Sequence, residues 1–68
     1  MKRDRFISVL RDSCAAAGWS LAVDKKLGKG SHYRIEVWAT GNLIAKTTLK
    51  SGELSPGYMA LVRRQLGL

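Results

Sequence analysis

One histidine occurs in the 68 residues of the chain, and it closes the run Lys25-Lys26-Leu27-Gly28-Lys29-Gly30-Ser31-His32. Imidazole exchanges a proton near neutral pH, so His32 is the candidate acid or base. Lys25, Lys26 and Lys29 bring positive charge, which gathers phosphate and stabilises charge developing on it. Glycine lets a ligand come close to the backbone, and Gly30 stands two residues before the imidazole. Phosphate and proton could meet here.

The rest of the composition narrows the chemistry. A chain of this length forms one domain, 1–68, and buries only ~60% of its unfolded surface, which leaves no room for a deep cofactor pocket. Twelve basic residues against five acidic ones give a net charge of +7, which suits a polyanion or an acidic protein. Cys14 is the only cysteine, so no internal disulfide can form. A single histidine and a distant cysteine make a poor zinc set, and no clustered carboxylates suggest a metal-dependent nuclease. No cofactor is expected. Arg11 and Asp12 cut short the apolar run that follows the basic N-terminus, against a signal peptide. No stretch nears the ~20 apolar residues that a membrane span needs, and the protein reads as cytoplasmic.

The elements that must position His32 follow from periodicity. Phe6, Val9, Leu10, Ser13, Cys14 and Ala17 share one face of a first helix, with Asp4 as N-cap and Gly18 at its end. Arg5, Ser8, Arg11 and Asp12 then look outward. Cys14 reads as a small core side chain. Trp19 to Asp24 alternates as a strand, and His32 to Ala39 alternates again. Thr40-Gly41-Asn42 supplies a turn, and Leu43 to Leu49 forms a third strand antiparallel to the second. A polar loop, residues 50–54, leads to a last helix with Ser55 as N-cap and Pro56 in its first turn. Met59, Val62 and Leu66 make its buried stripe, with Leu61 beside them, and Gly67 ends it.

The predicted fold class is α+β, in the order α-β-β-β-α, with both helices on one face of a three-stranded antiparallel sheet. Tyr33, Ile35 and Val37 then face the helices, while His32, Arg34, Glu36 and Trp38 face the open side.

Other motifs were weighed. Gly28-Lys29-Gly30 is too short for a nucleotide-binding loop and precedes a strand rather than a helix. Two stretches do resemble a known family: Gly30-Ser31-His32, and Gly52-Glu53-Leu54-Ser55-Pro56-Gly57 followed by Leu61 and Arg63-Arg64-Gln65-Leu66-Gly67-Leu68. Together they are similar to the HicA toxins, small mRNA-cleaving proteins of toxin–antitoxin pairs whose fold is like the double-stranded RNA-binding domain. The chain departs from that pattern in having no histidine in Thr48-Leu49-Lys50-Ser51, and in carrying Tyr58 after Pro-Gly.

The resemblance implies an endoribonuclease with His32 as general acid or base, neutralised by a HicB-like antitoxin. Residue chemistry adds the rest: the lack of a carboxylate cluster points to metal-independent cleavage, and Lys25, Lys26, Lys29, Gly30, Ser31 and Arg34 are the candidates to hold RNA. His32 and Trp38, on the open face, are the candidates for antitoxin contact. No membrane and no small-molecule cofactor are implied. The alternative is a non-catalytic module of the double-stranded RNA-binding type. Such modules concentrate lysine at the start of the last helix, where this chain has Ser55-Pro56-Gly57-Tyr58-Met59.

Overall fold

The computed structural model describes residues 1–26 and 31–68. The elements run α1 (Arg3–Ala16), β1 (Ser20–Asp24), β2 (Tyr33–Ala39), β3 (Asn42–Leu49) and α2 (Pro56–Leu66). This is the expected α-β-β-β-α order. The sheet order is β1-β2-β3 with both pairings antiparallel, so β2 is central and the long second strand has a neighbour on each side.

Strand alternation sorts the two faces. Leu21, Ile35, Val37 and Leu49 are buried on the side that α1 and α2 cover, and Val23, Tyr33 and Ala45 pack beside them. The helices contribute Phe6, Leu10 and Cys14 from α1, and Val62 and Leu66 from α2. The sheet's other face is open. Across it the register aligns Asp24, Arg34 and Thr48 in one row, Ala22, Glu36 and Lys46 in the next, and Ser20, Trp38 and Leu43 in the third.

That third row follows a register shift. Val37 pairs with Ala45 but Trp38 pairs with Leu43, so Ile44 is an extra residue in β3. The strands join through Thr40-Gly41, both with positive φ (49° and 79°), the combination that matches a two-residue hairpin to sheet twist.

The first helix corrects one expectation. Its N-cap is Lys2, with no side-chain cap, and Asp4 lies inside the first turn. Tertiary pairing sets the entry instead: Lys2 bridges to Glu53, Leu54 N–H donates to the Met1 carbonyl at 2.8 Å, and the Lys2 carbonyl accepts from Phe6 N–H at 3.1 Å. Asp4 still complements the positive end of the helix. One other expectation fails: Ala17 is exposed beyond the last helical turn. Leu61, beside the buried stripe of α2, is 44% exposed. The reverse holds for Leu54, expected in a polar loop but buried to 1% exposure, where it plugs the core beside the α2 entry.

The second helix forms as its sequence predicts. Ser55 Oγ accepts from Tyr58 N–H at 3.2 Å, Pro56 occupies the first turn, and Gly67 ends the helix in the left-handed region. No helix among the described residues is long and apolar enough to cross a membrane.

Candidate functional site

His32 is exposed at the residue before β2 begins, at the head of the open sheet face. Its backbone is held from both neighbours. Tyr33 is the first paired residue of β2 and lies opposite Leu49. On the other side, Ser31 is fixed by two contacts: its carbonyl accepts from Arg3 Nη1, and its hydroxyl accepts from Ser51 Oγ at 3.1 Å. The Arg3 guanidinium also stacks on the Tyr33 ring, 3.6 Å from its centroid. So α1 and the β3–α2 loop both clamp the segment that presents the imidazole.

The Ser31-His32 segment is thereby tied to Ser51, the residue that precedes the second motif. Gly52, at φ 88°, turns the chain after Ser51, and Glu53 accepts from the terminal ammonium at 2.7 Å. That bond, with the ammonium's charge and that of Lys2, holds the Glu53 carboxyl below the usual carboxylate range. Leu54 then anchors the loop in the core. Ser51 can reach Ser31 because the chain on either side of it is pinned by β3 and by Leu54.

The cations expected to surround His32 differ in how committed they are. Lys25 and Lys26 are exposed beyond the end of β1. The Lys25 ammonium lies 5.7 Å from the Tyr33 ring centroid, and Lys26 N–H donates to Asp24 Oδ1 at 2.8 Å in a local turn. Arg34 follows on the open face, but its Nε lies 3.2 Å from Glu36 Oε2. Glu36 Oε1 accepts in turn from Trp38 Nε1 at 3.3 Å, so Arg34, Glu36 and Trp38 form one chain along β2. A phosphate at Arg34 would have to compete with that carboxylate. The roles expected of Lys29 and Gly30 fall outside the described residues.

A shallow groove of about 400 Å³ runs beside Arg34, lined by Lys46, Thr47 and Thr48 of β3. Lys46 was not among the residues that sequence reasoning selected. Neither was Lys50, an exposed residue just past β3. Its N–H donates to Tyr58 Oη at 3.1 Å, that hydroxyl donates to the Thr48 carbonyl at 3.4 Å, and the Lys50 ammonium lies 4.7 Å from the Tyr58 ring centroid. The signal for Lys50 was in the sequence only as a departure: a lysine in the stretch where a histidine was looked for.

The far end of the open face is different in character. Trp38 is half-buried there, with Leu43 at 40% and Ile44 at 47% exposure beside it. The open face therefore runs from a cationic head at His32 to an apolar end at Trp38. Chemically, the head can bind an anion and move a proton; the apolar end can bury a partner's side chain. No group of three or more histidine, cysteine, aspartate or glutamate residues among the described residues could hold a metal.

Comparison with family models, with curated proteins and with solved structures finds no match to this chain.

Proposed function

We propose that the protein is a metal-independent endoribonuclease of the HicA type, the toxin of a toxin–antitoxin pair. The observation that carries the reading is the exposed His32, held at a cationic sheet head by Ser31 on one side and the Tyr33–Leu49 pair on the other. RNA brings its own nucleophile. His32 as neutral imidazole takes the proton of a 2′-hydroxyl, and the oxygen attacks the adjacent phosphorus. Lys25, Lys26 and Arg34 hold the phosphate, while a rigid backbone keeps the base in line.

The likeness of Gly30-Ser31-His32 and Gly52-Glu53-Leu54-Ser55-Pro56-Gly57 to the HicA pattern supports the same reading, and Ser31 of the first stretch bonds Ser51, just before the second. The partner follows from the open face. An acidic, HicB-like antitoxin drawn to a +7 surface would cover His32 and bury Trp38, Leu43 and Ile44.

The test is degradation of labelled single-stranded RNA in EDTA by wild type and His32→Ala. Wild type should cleave, and His32→Ala should lose about 10²–10⁴-fold in rate while still binding RNA. Binding without cleavage by wild type would favour the non-catalytic module instead.

A further inference from the structure

Extending the β2–β3 register one residue past Tyr33–Leu49 sets Lys50 across from His32. The pair Tyr33–Leu49 closes the ladder on one side of these residues, and the Ser31–Ser51 hydroxyl contact of 3.1 Å ties the chain on the other. His32 and Lys50 are the single residues left between the two ties, one on each segment. Lys26 would occupy the matching place on the β1 side, but pairing there ends at Asp24–Arg34 and the chain turns away through the Asp24–Lys26 bond. Among the described residues, Lys50 is thus the cation whose backbone is tied on both sides by the contacts that flank His32.

Its charge is also available. Arg34 shares its charge with Glu36 at 3.2 Å, and Arg3 is committed to Ser31 and the Tyr33 ring. The Lys50 ammonium rests 4.7 Å from the Tyr58 ring centroid, a contact that orients a cation without neutralising it. Tyr58 fixes the rest: its hydroxyl bonds the Lys50 N–H and the Thr48 carbonyl, so the first turn of α2 holds the end of β3 in place.

From this geometry we infer that Lys50 is a catalytic residue paired with His32, and that Tyr58 is its positioning residue. The inference rests on the ribonuclease reading above. In the step, His32 accepts the 2′-hydroxyl proton as the 2′ oxygen bonds to phosphorus. Lys50 swings from the Tyr58 ring to the non-bridging phosphate oxygens and stabilises their growing charge. The bond from phosphorus to the 5′ oxygen breaks, and that oxygen takes a proton from solvent. The products are a 2′,3′-cyclic phosphate and a 5′-hydroxyl end, and His32 returns its proton to water.

The experiment measures kcat and KM for cleavage of a short single-stranded RNA by wild type, Lys50→Met, Lys50→Arg, Tyr58→Phe and Arg5→Met. The last variant removes the same charge from the exposed face of α1. Lys50→Met should lower kcat about 10²-fold with KM within about threefold of Arg5→Met, and Lys50→Arg should recover most of the loss. Tyr58→Phe, which keeps the ring and removes the clamp, should lower kcat and leave KM unchanged. Wild-type cleavage with Lys50→Met matching Arg5→Met overturns the role of Lys50 alone. A wild-type chain that leaves RNA intact overturns the ribonuclease reading and this inference with it.

Discussion

At the scale of single residues, the chain treats its one histidine and its one cysteine in opposite ways. His32 is exposed, while Cys14 is 1% exposed in the core that α1 forms with the sheet. Burial pushes the Cys14 thiol up, and the charge of Arg11 offsets only part of that. A thiol whose folded pKa lies above its unfolded value favours the folded state fully below the unfolded value. That contribution is lost as pH rises through the folded one, so the protein should lose stability in the alkaline range. Cys14 should also resist a thiol reagent at pH 8 and react at the rate of global opening. Labelling as fast as in urea-unfolded chain would contradict a packed thiol.

At the scale of elements, most of the architecture was legible because one sheet face is buried and the other is not. Tyr33, Ile35 and Val37 against Arg34, Glu36 and Trp38 leave little choice of register. The α2 boundaries were equally plain, since Ser55, Pro56 and Gly67 act locally. The start of α1 was not, because Lys2 is set by a bridge to Glu53, far away in sequence. The neighbour of His32 was hidden for a related reason. Read outward from the Thr40-Gly41 turn without a bulge, His32 would fall opposite Leu49; with the extra Ile44, Leu49 pairs with Tyr33 instead, and the register carried one residue further points to Lys50. The same turn offers a stability test. Thr40 has φ 49°, in a region that β-branched residues avoid and asparagine tolerates. Thr40→Asn should stabilise by about 0.5–1 kcal/mol, seen as a Tm rise of about 2–8 °C in thermal denaturation. An unchanged or lower Tm would count against strain at that turn.

At the scale of the whole molecule, a small core and a +7 charge act together. Ten buried apolar residues among those described, Leu54 included, hold a domain whose net stability should be modest. A partner that binds only the folded form raises apparent stability by mass action. The acidic antitoxin of the proposed function should therefore raise Tm measurably at saturation, and most at low salt, where charge attraction is least screened. Replacing Trp38 with alanine should weaken that shift more than it weakens RNA cleavage, because Trp38 lies at the end of the face away from His32. An unchanged Tm with saturating partner would rule this out.

The kink at Ile44 has a second effect, on crowding. β3 is an outer strand of eight residues, long enough to invite further strands from other copies of the chain. Its irregular residue spoils the even spacing of amide and carbonyl groups that an incoming ribbon would need to latch onto. Uncontrolled stacking into fibres is thus discouraged by the same insertion that shifts the register at the head of the sheet by one residue.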